Sequence, residues 1–268
     1  MDYLSRNSAP FDEELWNQID SAVVSTAKKT LVGRRFLSLF GPLGSGTQNV
    51  LVDSGRKEED EDGLVKSTGR TYQELPQLHE DFKLYWRDLE NTDKNGYPLS
   101  LSPVYAAAQA LSFKEDKLIF FGSKFLPVKG LLNAGGQKLA RKDWATGENA
   151  YIDVAEAIAM LAQKGVFGRY ALCLSPDLYA GLQRLQPGTG VTELERIEKL
   201  VDGKVYRCTV LDKQKAVLVC AEPQFMDLAV GQDMAVAYLE LVDLNHSLRI
   251  LETAVPRIKN PQAIVVLE

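Results

Sequence analysis

Between Val52 and Thr71 the chain carries a stretch that no hydrophobic core can accept. It reads DSGRKEEDEDG from Asp53 to Gly63, glycine-bounded and almost wholly charged. Unpaired charge is costly to take out of water, so the run must stand in solvent at the tip of a long excursion. Its flanks, NVLV (49–52) and GLVKS (63–67), have the content of short strands and can pair as a hairpin arm. Long arms without a core of their own are usually functional. A chain built this way is shaped to reach something outside itself.

The rest of the sequence supplies what the arm lacks. Asp12, Glu13 and Glu14 suit the positive end of a helix. Leu15, Trp16, Ile19, Val23, Ala27 and Leu31 then form one apolar stripe, closed by Gly33. A short strand from Phe36 to Phe40 runs into GPLGSG (41–46), a flexible bend at the root of the arm. DFKLYWRDLE (81–90) begins as a strand, with Phe82, Leu84 and Trp86 on one face. Ser102-Pro103 starts a helix carrying Val104, Ala107, Ala108, Leu111, Leu118 and Ile119. A further helix near 149–164 stops at Gly165, and YALCLS (170–175) reads as a buried strand. Thr192 and Glu195 form a capping-box pair. From residue 204 the chain is mostly strands, ending in AIVVL. Helices and strands do not alternate regularly, so the class is α+β and not a doubly wound sheet.

The search for chemistry excludes more than it finds. A net charge of −5 over 268 residues argues against a nucleic-acid binder, which needs a basic face. The densest basic cluster, Lys28, Lys29, Arg34 and Arg35, spreads around a helix as a solvated face. Cys173, Cys208 and Cys220 lack a C-x-x-C pair and point to buried thiols in a reducing cytoplasm. No signal peptide and no membrane span are visible. His79 and His246 have no partners at metal-ligand spacing, so no metal site is expected. GPLGSG lacks the Lys-Ser/Thr of a phosphate loop, and no nucleophile constellation exists. No catalytic residue can be named.

Six segments, GRRFLSLFGPLGSGTQ (33–48), DFKLYWRDLE (81–90), LIFFGSKFLPVKGLLN (118–133), LSPDLYAGL (174–182), DLAVGQDMAVAYL (227–239) and RIKNPQAIVVL (257–267), resemble the encapsulin shell proteins, or linocin-type bacteriocins, in order and spacing from end to end. The likeness looks closest to the branch whose members store iron. It implies the tailed-phage major capsid fold. Residues 1–40 would be an N-terminal arm and interior helix, 41–80 an extended arm, 81–135 with 235–268 a peripheral domain, and 136–234 an axial domain. The first helix begins about a dozen residues from Met1, where phage capsids often carry a scaffolding segment. That favours an encapsulin over the alternative, the major capsid protein of a tailed-phage-like virus.

By the same resemblance the chain would form a large icosahedral homo-oligomer in the cytoplasm and enclose cargo enzymes, for iron storage or oxidative-stress protection. Cargo would arrive by a short terminal targeting peptide. Ala27, Leu31, Arg34 and Leu37 would line one side of its groove, with Val236 and Tyr238 on the other. Arg34→Glu is then expected to abolish cargo capture while shells still form. Pro187, Gly188, Thr189 and Gly190 would form the pore loop. Some members bind a flavin through a Trp; here Trp86 stands one residue from the aligned Arg87. On a strand that offset reverses the face, so no cofactor is expected in the shell chain, nor any nucleic-acid or membrane partner.

Overall fold

A computed structural model describes residues 3–52, 57–188 and 190–268. In chain order the elements begin with helix α1 (Glu13–Thr30), the single turn α2 (Gly33–Phe36) and the short strands β1 (Leu39–Phe40) and β2 (Asn49–Leu51). The arm follows as β3 (Lys57–Glu61), β4 (Leu64–Thr68) and β5 (Tyr72–Glu74), leading into β6 (Gln77–Leu84), α3 (Trp86–Asn95) and the 20-residue α4 (Ser102–Phe121). Next come β7 (Gly122–Ser123), β8 (Val128–Lys129), β9 (Gln137–Leu139), α5 (Asn149–Gln163), β10 (Tyr170–Leu174), α6 (Pro176–Gly181) and α7 (Glu193–Glu198). Strands β11 (Val205–Arg207), β12 (Ala216–Cys220), β13 (Met226–Val242), β14 (Asn245–Ile258) and β15 (Ile264–Leu267) complete the chain.

Two sheets organise these elements. One has the order β1-β13-β14-β6, built on the long β13–β14 hairpin; the other runs β11-β10-β12-β15-β9. The first carries α1 and α4 on one face. Trp16, Ile19 and Val23 of α1, Val104, Ala108 and Leu111 of α4, and Val236, Leu248 and Ile250 of the hairpin bury together. The apolar stripe read from the sequence is this contact, and Asp12 caps α1 by accepting the Leu15 amide. The second sheet is apolar along β10 and β12, sandwiched as the central strands of a larger core that includes α5 and reaches Phe36 and Phe120.

Several local expectations need correction. The acidic run is not a loop tip: Lys57–Glu61 is itself a strand, paired with Leu64–Thr68 around Asp62 and Gly63. Residues 49–52 do not pair with 63–67. Asn49–Leu51 pairs instead with Tyr72–Glu74, so the arm has two separate two-stranded segments. Asp53–Arg56 lie outside the described residues. Gly33 does not end α1, which closes at Leu31; it starts α2, where an added Cβ would meet Ile119 Cδ1 at 2.3 Å. The GPLGSG segment is no free bend, since the amides of Leu43 and Gly44 bond to the carbonyls of Val230 and Gly231. The boundary drawn at 234/235 falls inside β13. The last strand, β15, pairs with β12 and β9 and so joins the sheet of the 136–234 segment, not the 245–258 hairpin. A short apolar run states that it is buried but not against which partner.

Candidate functional site

The junction between α1 and the rest of the molecule is organised around charge. Val32 and Gly33 donate their amides to Asp116 on α4 at 3.0 and 2.9 Å. With Gly33 pressed on Ile119, the α2 turn aims Arg34 inward. Its guanidinium meets Glu115 of α4 at 2.6 Å, Glu252 of β14 at 2.7 Å and Asp233 of β13 at 2.6 Å. The Arg34 side chain is 14% exposed, and those of Glu115 and Glu252 are fully buried. Burial opposes the Arg34 charge, but its bond and attraction to Glu115 outweigh this and raise its pKa. Burial, then Glu115, hold the Glu252 carboxyl well above the usual range. Arg34 therefore ties four elements together, and only Lys28, Lys29 and Arg35 of the basic cluster are exposed.

Asp116 makes this junction pH-dependent. Burial pushes its carboxyl from 3.8 up to about 7, against the two backbone bonds that favour the charged form. A raised folded-state value means that the native chain holds a proton the unfolded chain has released. This contribution is fully present below about pH 4 and is lost as pH rises to about 7. Glu268 has the opposite sign. Lys138 and Lys215 hold it near 2, so its contribution is lost as pH falls below the ordinary 4.5. Urea unfolding is expected to show stability declining from about pH 5 to about pH 7. Asp116→Asn, which keeps an acceptor for the two amides, should flatten that slope. An unchanged slope in the variant would exclude Asp116 as its source.

The six residues placed in a cargo groove do not form an open one. Ala27, Leu31, Leu37 and Val236 are buried, and Arg34 is occupied. Leu37 and Val236 pack in two different cores, while Tyr238 is half-buried with its hydroxyl 3.3 Å from His246 Nδ1. The chain's own N-terminal segment covers the wall at 236–238. Leu4 O accepts the Tyr238 amide, and Arg6 donates to Val236 O and holds Asp20. Helical periodicity marks a buried stripe without saying what buries it. The loop at 186–190 bridges α6 and α7, with Pro187, Gly188 and Gly190 exposed; Thr189 lies outside the described residues. The capping box after it forms both of its bonds.

The arm is anchored at its root by a second ion pair. Arg257 forks onto Asp227 at 2.7 and 2.6 Å, donates to Leu51 O at 2.7 Å, and stacks over Phe40 with 4.0 Å to the ring centroid. Beyond the root, Leu64, Val65 and Tyr72 present apolar side chains to solvent.

Trp86 is the first residue of α3 and not the end of strand β6. The strand-face argument therefore does not apply to it. Trp86 lines a cleft of about 780 Å³ between the first turns of α1, α3 with the loop after it, and the tip of the β13–β14 hairpin. Phe11, Leu15 and Leu89 also line it, and its charged lining residues are Asp12, Glu14, Glu90 and Asp93. That acidic rim opposes the phosphate of a flavin nucleotide. Among the described residues, no group of three or more His, Cys, Asp or Glu could hold a metal ion, and no helix is long and apolar enough to cross a membrane.

Two sheets, the long helix α4 and an extended arm give the chain a fold of the phage-capsid class. Its architecture matches a virus-like particle from Pyrococcus furiosus with a TM-score of 0.75 at 23% identity, over 95% of this chain and 100% of that one. The capsid of Myoviridae phage XM1 follows the same fold, with a TM-score of 0.64 at 14% identity over 87% of this chain and 90% of that one. A family model described as encapsulating protein for peroxidase, Linocin_M18, matches residues 1–255. The chain is 37% identical to the type 1 encapsulin shell protein EncA of Myxococcus xanthus, covering all of this chain and 96% of that protein. It is also 37% identical to a diheme-cytochrome-encapsulin shell fusion protein of Kuenenia stuttgartiensis, over 96% of this chain and 73% of the fusion. The chain belongs to the encapsulin family: it is a shell protein of a protein nanocompartment, and it is not an enzyme.

Proposed function

We propose that the shell encloses cargo enzymes captured by a short terminal peptide, in the cytoplasm of a prokaryote, for iron storage or oxidative-stress protection. The observation that carries this reading is the full-length likeness to a type 1 encapsulin shell protein. The peroxidase in the family description and the diheme cytochrome fused to the Kuenenia relative both favour redox cargo. The shell chain contributes containment and no cofactor of its own; the acidic rim beside Trp86 supports leaving a flavin out. Assembly follows from repeated heterologous contacts that close into rings and then a shell. The arm's exposed apolar residues suit a seat on a neighbouring copy, where the edges of β3 and β4 would no longer be free.

Size-exclusion chromatography with negative-stain microscopy on the chain expressed alone tests the assembly. Hollow, near-spherical megadalton particles are expected, and a monodisperse monomer or dimer would overturn it. Co-expression with a ferritin-like or peroxidase protein, with and without its terminal tail, tests the cargo. Tail-dependent filling is expected; equal filling without the tail would reject capture by a peptide.

A further inference from the structure

Directly after α4 the chain makes the small hairpin β7–β8, and its turn holds Phe125 in solvent at 93% exposure. A lone exposed aromatic is ordinary on a protein surface, but this one stands on a rigid mount. Beneath the turn, Val128 is buried with Leu118 of α4 and with Val50 and Leu75 of the arm root, and Leu126 packs beside them. The two ends of the hairpin are pressed together: a Cβ on Gly130 would lie 2.3 Å from the Gly122 amide nitrogen. Asn133 clamps them, accepting the Gly130 amide at 2.7 Å and donating to Phe121 O at 2.6 Å. Lys124 and Lys129 flank the ring. Both are exposed, and neither has an ion pair among the described residues.

The arm carries a matching surface. Residues opposed across two paired strands share a face. The register of β3 and β4 sets Lys57 opposite Thr68, Glu59 opposite Lys66 and Glu61 opposite Leu64, so on that face two lysines offset two glutamates. The other face sets Glu58 opposite Ser67 and Asp60 opposite Val65, with no cation on it. Val65 is 60% exposed, and neither acid has an ion pair among the described residues. One arm face thus gathers two uncompensated carboxylates around an apolar side chain, and the hairpin gathers two uncompensated lysines around a ring. Val65 and Phe125 are both open to solvent on the same chain, so an arm does not cover its own hairpin. A closed shell repeats the contact of one patch with a different patch on the next copy.

We infer that the β7–β8 hairpin of one copy seats the arm of a neighbouring copy, with Phe125 against Val65 and with Lys124 and Lys129 against Glu58 and Asp60. The ring supplies apolar contact area, and the charges fix the register and select this face of the arm over the neutral one. The inference rests on the reading that the arm lies on a neighbouring copy, and it adds the residues of the seat.

The test co-expresses two chains, one with Phe125→Cys and the other with Val65→Cys, and treats the mixed particles with diamide. The native cysteines are buried and stay out of the reaction. Mass spectrometry is expected to find a disulfide joining positions 65 and 125, which in mixed particles can only lie between copies. Lys124→Glu with Lys129→Glu should lower the fraction of chain found in particles about tenfold, as should Glu58→Lys with Asp60→Lys. Combining all these reversals in one chain should restore most of it, with native circular dichroism throughout. A loss that the combined reversals do not restore overturns the charge pairing, and a disulfide between two copies of position 125, or none, overturns the seat. Proteolysis of the arm in intact particles then separates the two readings. A protected arm without the 65–125 link overturns the hairpin seat while the arm still lies on its neighbour; a cleaved arm without the link overturns both.

Discussion

Arg34→Glu is expected to yield no assembled shells, with the chain recovered as aggregate or as a non-assembling species. The substitution places a fourth carboxylate against Glu115, Glu252 and Asp233, two of which are fully buried. Removing the cation alone, as in Arg34→Met, leaves two buried acids uncompensated and should cost about 3–5 kcal/mol. That is a large part of a typical folding stability of about 5–15 kcal/mol. The expectation drawn from the resemblance, that shells survive while cargo capture fails, gives way because Arg34 is occupied within its own chain. The triple variant Arg34→Met, Glu115→Leu, Glu252→Leu separates the explanations. Replacing a whole buried ionic group by apolar side chains is often neutral, so thermal unfolding of the triple variant should recover much of the Arg34→Met loss. A triple variant as unstable as the sum of its parts would place the defect elsewhere.

What the sequence disclosed follows physical reach. The α1 stripe was legible because 3.6-residue periodicity and acids at a helix's positive end are local signals; both hold, and the structure adds that Asp12 is the cap. The helix over 102–121 and the capping box at Thr192 and Glu195 were legible for the same reason. Pairing was not, because strand partners are chosen over long separations. Nothing local to Ile264–Leu267 announces that its neighbours are β12 and β9. The acidic run misled in a different way: charge shows that Lys57–Glu61 is solvated, but a two-sided solvated ribbon is still a strand. The Arg34 hub was hidden because its partners lie 81, 199 and 218 residues away. The signal that could have found it was Glu115, which stands at helical spacing between Leu111 and Leu118 on the buried face of α4, beside a second acid, Asp116. Acids in such a position are expected to have buried partners. The cleft was hidden too, since α1, α3 and the hairpin tip meet only in the fold.

Arg257→Ala is expected to release the arm without unfolding the sheets. Arg257 and Asp227 are both nearly buried, and their forked bond is the geometry in which a carboxylate is held most strongly. Lys259 remains 2.7 Å from Asp227 and keeps that acid partly compensated. The loss should therefore fall near the lower end of the usual range, about 3 kcal/mol. What Lys259 cannot replace is the bond to Leu51 O and the stack on Phe40, which fix the first arm strand and β1 against β14. Hydrogen exchange should accelerate at 49–51 and 72–74 while β10 and β12 stay protected. Particle yield should fall steeply, because an arm that samples many directions pays its ordering entropy at every subunit contact. Arg257→Lys should recover only part of the yield, as a single ammonium cannot hold Asp227, Leu51 O and the ring together. Wild-type yield with unchanged protection at the arm root would show that the β2–β5 pairing alone positions the arm. A uniform loss of protection across both sheets would show that Arg257 supports the fold and not the arm.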